Sequence, residues 1–94
     1  MATFVVLGKL TSQAKQNAPA ALQHRDRLYA EFRKKGFAIA DYMTLGPYDV
    51  VLVVEAPSDE QMMQFLMASG AAGNLDTVTL KAFAAPTAGP PRAP

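Results

Sequence analysis

Residues 50–54, with the sequence VVLVV, have no polar position on either side of the strand that they predict. Successive side chains of a strand point to opposite faces of the sheet, so a strand with one solvated face normally alternates apolar and polar residues. Residues 4–7, FVVL, are equally apolar. We therefore expect a sheet whose middle is shielded from water on both faces.

The elements predicted from local pattern follow the order β-α-β-β-α-β. Segments rich in β-branched and aromatic residues predict strands at residues 3–10, 37–45, 50–56 and 77–83. The main helix is expected at about residues 19–35, after a helical turn at residues 12–17. A second helix is expected to start after Ser58 and to end in the segment SGAAGN at residues 69–74.

Turn and cap residues separate these elements. Gly36 follows three basic residues and is expected to end the main helix in a left-handed conformation. Ser58 and Gln61 fit a capping box at the start of the second helix. Structural turn positions are expected in the hairpin between the second and third strands and after the second helix, at Gly46, Pro47, Gly73 and Asn74.

This order predicts an α+β, ferredoxin-like fold, a four-stranded antiparallel sheet with both helices on one face and the first and third strands in the middle. We expect one domain at residues 1–85. Residues 86–94 are rich in proline and alanine and are expected to form a disordered tail.

The helices cover one face of this sheet, so something else must cover the other. A second copy of the chain, packed sheet against sheet, would bury apolar side chains worth about 1.5–3 kcal/mol each. Roughly six of them give on the order of 10 kcal/mol per subunit, against an association cost of about 4–15 kcal/mol. The alternatives are that an apolar ligand or the tail covers this face. The tail has no large apolar side chain.

Composition excludes several classes of function. The formal net charge of +1 gives no field for nucleic acid, and the middle strand at residues 50–54 lacks the aromatic side chains of RNA-recognition domains. The chain has no cysteine and one histidine, so we expect no metal site and no cofactor. The start of the sequence has neither a basic leader nor a long apolar run, which favours a cytoplasmic protein without a membrane segment.

Arg25 falls near the centre of the apolar stripe of the main helix, which is unusual for a guanidinium group. Three explanations stay open from the sequence: the side chain reaches the helix edge, it pairs with a carboxylate such as Asp41, Asp49 or Glu55, or it binds an anionic ligand. His24 lies at the edge of the stripe, where a surface position is favoured over a general acid or base.

Further ligand-binding candidates have equally good structural explanations. Tyr29 and Tyr42 are placed to line a cavity between helix and sheet, or to pack in the core. Tyr48 and Asp49 follow the hairpin turn, where packing of the ring and backbone hydrogen bonds to the carboxylate are the simpler roles. Methionines 62, 63 and 67 repeat at helical spacing and are expected to fill the core.

The segment LGPYDVVLVVEAPSDE, together with FVVLGKLTSQ and GNLDTVTLKAF, resembles the GYD-domain family of small bacterial proteins. The family name refers to the glycine, tyrosine and aspartate of a hairpin, here Gly46, Tyr48 and Asp49. The resemblance implies a dimeric α/β barrel, in which two ferredoxin-like subunits pack sheet against sheet. It implies no settled activity, because related folds include cofactor-free enzymes and effector-binding domains.

Two classes of function therefore follow. The first is a homo-oligomeric module that binds a small molecule or regulates other proteins. The second is a cofactor-free monooxygenase or isomerase that acts on a hydrophobic substrate through His24, Arg25, Tyr29 or Tyr42. A purely structural assembly subunit is a third alternative.

Overall fold

The computed structural model describes residues 1–89. In this part of the chain the elements are β1 (Ala2–Leu10), α1 (Ser12–Gln16), α2 (Ala18–Lys34), β2 (Ala38–Met43), β3 (Val50–Ala56), α3 (Asp59–Ala71) and β4 (Leu75–Ala82). The predicted order of strands and main helices is confirmed. The helical turn expected before the main helix is α1.

The four strands form one antiparallel sheet in the order β2-β3-β1-β4. The two strands that contain the apolar runs at residues 4–7 and 50–54 are therefore the central ones, as predicted. In the middle of the sheet Val6 is paired with Leu52 on one side and with Thr79 on the other. With α2 and α3 packed on the sheet, this arrangement is the predicted α+β, ferredoxin-like fold.

Local side-chain chemistry sets the helix ends. The Ser58 hydroxyl accepts a hydrogen bond from the backbone N–H of Gln61 (3.2 Å), which caps α3. The Thr11 hydroxyl caps α1 in the same way through the N–H of Ala14 (3.2 Å). Gly36 has a φ of +97° directly after α2, a conformation that is strained for any residue with a Cβ.

Two strands differ by two residues at one end from their predicted bounds, and the other differences are of one residue. β2 ends at Met43 because Thr44 already belongs to the hairpin connection, where its N–H donates to the carbonyl of Asp49 (2.9 Å) and its hydroxyl to the carbonyl of Tyr48 (2.6 Å). β4 begins two residues earlier than predicted, because Leu75 pairs with Leu10 at the end of β1.

The core lies between the sheet and the two main helices, and aromatic rings occupy one end of it. Phe32 contacts both Phe37 and Phe65 with ring centroids 5.1 Å apart, and both pairs are edge to face. Tyr29 lies 5.9 Å from Phe65. Val54 and Leu52 of the sheet pack against this cluster, and their side chains are 0% and 3% exposed.

The opposite face of the sheet, which we call the open sheet face, consists of the apolar side chains that point away from the helices, namely Val5, Leu7, Tyr42, Val51, Val53, Val78 and Leu80. Val53, Leu80 and Tyr42 are 39%, 49% and 59% exposed. The middle of this sheet is thus apolar on a face that neither main helix covers.

Two methionines of α3 lie outside the core. Met62 is buried, but Met63 and Met67 are 59% and 72% exposed, so the prediction that all three fill the core is wrong. On a helix, residues 62, 65 and 66 share one face, whereas residues 63 and 67 point away from it. Phe65 and Met62 occupy the inner face of α3 and leave no room there for the other two.

The proline- and alanine-rich tail predicted at residues 86–94 falls partly outside the described residues, which end at 89. Residues 86–89 are neither helical nor in a strand. Along residues 1–89, no helix has the length and apolar character that crossing a bilayer requires.

Candidate functional site

A cavity of about 400 Å³ lies between the first half of α2 and the sheet. Its walls are mostly apolar and come from both layers and from α1; they include Leu10, Ala14, Ala18, Ala21, Leu22, Leu28, Met43, Val50 and Leu75. The volume lies within the range of about 300–1,000 Å³ that is typical of small-molecule pockets.

The cavity exists because α2 changes character along its length. In its second half, Leu28, Tyr29 and Phe32 are 8%, 4% and 4% exposed and fill the space above the sheet. In its first half, the residues that face the sheet are small, and Leu22 at the cavity wall is 49% exposed. A row of alanines cannot reach the opposite layer, so a gap persists where a larger side chain would close it.

Polar contacts between element ends hold the other side of the cavity in place. The Thr11 hydroxyl donates to the carbonyl of Gly73 (2.7 Å), and the side-chain amide of Gln13 donates to the carbonyl of Ala72 (3.1 Å). The N–H of Thr11 donates to the carbonyl of Asn74 (3.1 Å). α1 is thereby fixed to the loop after α3, where Gly73 has a φ of +70°.

Arg25 lies at the cavity wall, and its partly exposed side chain is paired with two carboxylates. Its Nε and Nη2 lie 3.3 Å and 3.1 Å from Asp26 Oδ1, and its Nη1 lies 3.4 Å from Asp41 Oδ2. Asp41 belongs to the edge strand β2, so this pair joins α2 to the sheet. Of the three explanations left open by the sequence, the contacts correspond to the pairing with Asp41.

His24 also lines the cavity, next to Arg25 on α2. The side chain is half-buried, and its Nε2 atom is buried without a hydrogen-bond partner. A buried polar atom without a partner costs free energy in the folded protein. The Nε2 atom is therefore closed off from the cavity space, although other atoms of His24 contribute to the wall.

Tyr29 completes the polar part of the wall. Burial, followed by the negative charge of Asp41, raises the pKa of its phenol from 10.0 to about 12, although Arg25 and Arg33 act in the opposite direction. The Arg33 guanidinium lies 5.9 Å from the ring centroid and donates to the carbonyl of Ile39 (2.8 Å). The phenol is therefore neutral at physiological pH and penalised when it ionises.

The hairpin candidates lie apart from the cavity lining. The Asp49 carboxylate accepts a hydrogen bond from the N–H of Leu10 (2.9 Å), and the N–H of Asp49 donates to the carbonyl of Gly8 (2.9 Å). The Lys9 ammonium lies 5.6 Å from the centroid of the Tyr48 ring. These contacts fasten the hairpin to the end of β1.

The turn itself depends on glycine at one position. Gly46 has a φ of +130°, a conformation that residues with a Cβ rarely adopt, and Pro47 follows it. The turn is exposed, and the neighbouring Leu45 is fully exposed.

The sequence candidates thus divide into two groups. His24, Arg25 and Tyr29 meet at the cavity, whereas Tyr42 lies on the open sheet face and Tyr48 and Asp49 lie in the hairpin region. Ser69 and Asn74 also line the cavity; sequence reasoning assigned Asn74 only to a turn and did not single out Ser69. The sequence feature that could have predicted the cavity is the set of small residues Ala14, Ala18 and Ala21. Among residues 1–89, no group of three or more potential metal ligands comes together.

The family model of the GYD domain matches residues 4–88, and the chain belongs to this family. No solved structure matches the chain at a significant level.

One similar curated protein comes from Thermus thermophilus and is named "Glutamine synthetase and cystathionine beta-lyase binding protein". It is 31% identical to this chain over 87 residues, which cover 88% of this chain and 90% of the relative. The similarity therefore extends over nearly the whole length of both proteins.

Proposed function

We propose that this GYD-family chain is a small homo-oligomeric binding module that holds a small, mainly apolar molecule in the cavity between α2 and the sheet. The observation that carries the proposal is the cavity itself, about 400 Å³ in volume and lined by apolar side chains around a few polar ones. Such a combination is typical of small-molecule sites, where apolar walls supply affinity and polar groups supply orientation.

Filling the cavity tests this proposal. In a thermal-shift screen of small apolar compounds, the wild-type chain is expected to be stabilised by about 2.7 kcal/mol at a ligand concentration of 100 times Kd. Ala21→Phe places a ring in the cavity and is expected to abolish the stabilisation. Ala30→Phe is the matched control, because Ala30 is an exposed residue of the same helix outside the cavity lining. If no compound stabilises the wild-type chain, the proposal is wrong.

The homo-oligomer is supported by the open sheet face, where Val53 of a central strand and Tyr42, Val78 and Leu80 of the edge strands remain exposed. Exposed apolar patches of this kind are typical of protein interfaces. Leu80→Lys on this face is expected to convert a dimer to a single subunit in sedimentation velocity at micromolar concentration. Met63→Lys removes a similarly exposed apolar side chain from α3 and is expected to leave the dimer intact. A wild-type chain that sediments as a single subunit contradicts the assembly.

Binding of another protein is a second candidate function, supported by the printed name of the Thermus relative and by the exposed side chains of Met63 and Met67 on α3. Methionine side chains adapt to varied partner surfaces. Glutamine synthetase or cystathionine β-lyase from the host organism is then expected to bind the chain in calorimetry. Met67→Glu should weaken binding about tenfold by placing a charge in the contact, and Gln64→Glu serves as the control. Absence of binding to both enzymes removes this candidate.

A cofactor-free monooxygenase or isomerase is less well supported than binding. Such an enzyme needs a group that removes a proton near neutral pH. A Tyr29 pKa of about 12 makes its phenolate a rare species, and the guanidinium of Arg25 is paired with two carboxylates. Tyr29 and Arg25 are therefore poorly suited to removing a proton, which leaves this role to His24 among the sequence candidates at the cavity.

A further inference from the structure

We infer that the molecule held in the cavity is an amphipathic monocarboxylate, whose carboxylate binds to the guanidinium of Arg25 and whose apolar part fills the cavity. The inference rests on the proposed function and adds the chemical class of the ligand. Two features of the structure carry it. One is the distribution of burial and charge around the cavity wall, and the other is the set of hydrogen-bond donors that Arg25 keeps.

The cavity wall is apolar where it is buried and charged where it is exposed. Ala14, Leu28 and Val50 are 2%, 8% and 8% exposed. The charged wall residues lie towards solvent, because Lys15 is exposed and the side chain of Arg25 is 37% exposed. A molecule that matches this wall has an apolar part that is buried and a charged group that stays near the opening.

The charged wall residues are both cations, and no Asp or Glu within residues 1–89 lines the cavity. The sign of the wall therefore favours an anionic group on the ligand. Asp41 lies behind the wall and, after burial, is the second cause of the raised pKa of Tyr29. A negative charge beside Tyr29 is disfavoured for the same two reasons, so the carboxylate belongs at the exposed side of Arg25 and not deeper in the cavity.

Arg25 keeps hydrogen-bond donors for this carboxylate. A guanidinium has five N–H groups, one on Nε and two on each Nη. Nε and Nη2 each donate to Oδ1 of Asp26, at 3.3 Å and 3.1 Å, and Nη1 lies 3.4 Å from Oδ2 of Asp41. One N–H group therefore stays available on each of the two Nη nitrogens. Two N–H groups on neighbouring nitrogens are the donors from which a carboxylate accepts a pair of parallel hydrogen bonds.

The contact with Asp26 presents little competition. Its side chain is 69% exposed, and both hydrogen bonds from Arg25 reach the same oxygen, so the pair lacks the arrangement of two parallel bonds to two oxygens. Exposed ion pairs of this kind contribute little to stability. A ligand carboxylate can share the guanidinium with Asp26 or replace it at low cost. The contact with Asp41 on β2 meanwhile holds the guanidinium at the wall.

Lys15 has a secondary role at the opening. Within residues 1–89 it makes no ion pair, so its charge is not neutralised by a neighbouring carboxylate. An exposed ammonium group is strongly hydrated and screened by salt, so it attracts an anion without fixing its orientation. Arg25 is therefore expected to contribute more to carboxylate binding than Lys15.

The test compares octanoate with octanamide, its uncharged analogue of similar shape, at about pH 8, where the acid is ionised. In isothermal titration with the full-length chain, octanoate is expected to bind about five- to twentyfold more tightly than octanamide, the value of a charged hydrogen-bonded contact. Octanamide binding as tightly as octanoate, or more tightly, overturns the inference and leaves the cavity as a binding site. Failure of both compounds overturns the inference, and the proposed function falls with it only if the thermal-shift screen finds no stabilising compound.

Variants locate the contact. Arg25→Met removes the guanidinium, and octanoate is then expected to bind no more tightly than octanamide. Arg27→Met is the matched control, because Arg27 is an exposed arginine of the same helix outside the cavity lining, and it should keep the preference. The ratio of the two affinities is measured within each variant, so a change in stability affects both compounds alike. A preference for octanoate that persists in Arg25→Met overturns the assignment.

Two further variants separate the cavity from other surfaces. Lys15→Met is expected to weaken octanoate binding only about twofold, and a larger loss than in Arg25→Met contradicts the assignment to Arg25. Ala21→Phe fills the cavity and is expected to abolish binding of both compounds. Octanoate binding that survives Ala21→Phe lies outside the cavity and overturns the inference.

Ionic strength provides a measurement on the wild-type chain alone. Raising the salt from about 0.01 M to about 1 M shortens the Debye length from about 30 Å to about 3 Å. The preference for octanoate over octanamide is expected to fall severalfold, because the side chain of Arg25 is partly exposed. A preference that does not change with salt contradicts an ionic contact at the cavity opening.

Discussion

The two ends of the layer between α2 and the sheet are built by opposite means. At the aromatic end, rings of Phe32, Phe37 and Phe65 fill the space between helix and sheet at centroid distances of 5.1–5.7 Å. At the cavity end, alanines of α1 and α2 leave about 400 Å³ unfilled by side chains. One helix therefore belongs to a close-packed core and to the wall of a cavity at the same time.

The forces that hold the two ends differ as well. The aromatic end depends on apolar burial, which is non-directional and needs only complementary volume. The cavity end is held by directional hydrogen bonds: the Thr11 and Gln13 side chains donate to backbone carbonyls, and the Asp49 carboxylate accepts from the N–H of Leu10. This division lets a chain of only 94 residues keep both an opening and a close-packed core. Substitutions at each end should therefore differ in their effect on stability.

The largest effect is expected at the aromatic end. Phe65 is 1% exposed and contacts three aromatic rings, so Phe65→Ala should lower the free energy of unfolding by about 3–5 kcal/mol. Urea denaturation with circular dichroism measures the change. A loss below about 1 kcal/mol would show that the aromatic end is not the main source of stability.

The next effect concerns Tyr29, which lies at the junction of the two ends. Its pKa is raised in the folded chain from 10.0 to about 12, so folding favours the neutral phenol. The stabilisation of the folded chain by this neutral phenol is fully present below about pH 10 and is lost as the pH rises through about 12. The total loss in the free energy of unfolding is on the order of 2 kcal/mol.

Urea denaturation at a series of pH values, together with tyrosine absorbance at alkaline pH, measures this loss. Tyr29→Phe is expected to remove the component of the alkaline loss that belongs to this phenol. An unchanged alkaline profile in the variant would place the ionising group elsewhere in the chain.

A smaller effect is expected from the polar contacts at the cavity end. Asp49→Ala removes the acceptor for the N–H of Leu10 and should destabilise the chain by about 1–2 kcal/mol. Asp49→Asn keeps an oxygen at this position and is expected to recover part of the loss. If both variants are as stable as the wild-type chain, the carboxylate does not fasten the hairpin.

The smallest effect is expected at the cavity wall. Leu22 is 49% exposed, so Leu22→Ala should change the free energy of unfolding by less than about 1 kcal/mol. Comparison with Phe65→Ala under the same conditions then measures the difference between the ends. A loss similar to that of a core leucine, about 2–5 kcal/mol, would mean that the first half of α2 packs more closely on the sheet.

Much of the fold could be predicted from short-range signals. The cap at Ser58, the stop at Gly36 and the apolar central strands all depend on residues close in sequence, and each corresponds to a contact or a conformation in the structure. The start of β4, in contrast, was predicted two residues too late because it depends on a contact between residues far apart in the sequence. Its first pair, Leu10 with Leu75, is a long-range contact that strand propensity does not encode.

The candidate site could be predicted only in part. Helical spacing placed His24, Arg25 and Tyr29 on or beside the face of α2 that points to the sheet, and these three meet at the cavity. The same spacing could not decide which of three carboxylates pairs with Arg25. Asp41 is selected because the edge strand β2 passes beside that turn of α2.

The sequence by itself determined the order of the elements, the two central strands and the apolar character of both sheet faces, because side-chain periodicity and cap chemistry act over a few residues. Only the tertiary structure decided where the apolar stripe of α2 touches the sheet and where it stands away from it. Periodicity specifies the direction in which a side chain points, whereas the distance to the opposite layer depends on the volumes of residues far apart in the chain.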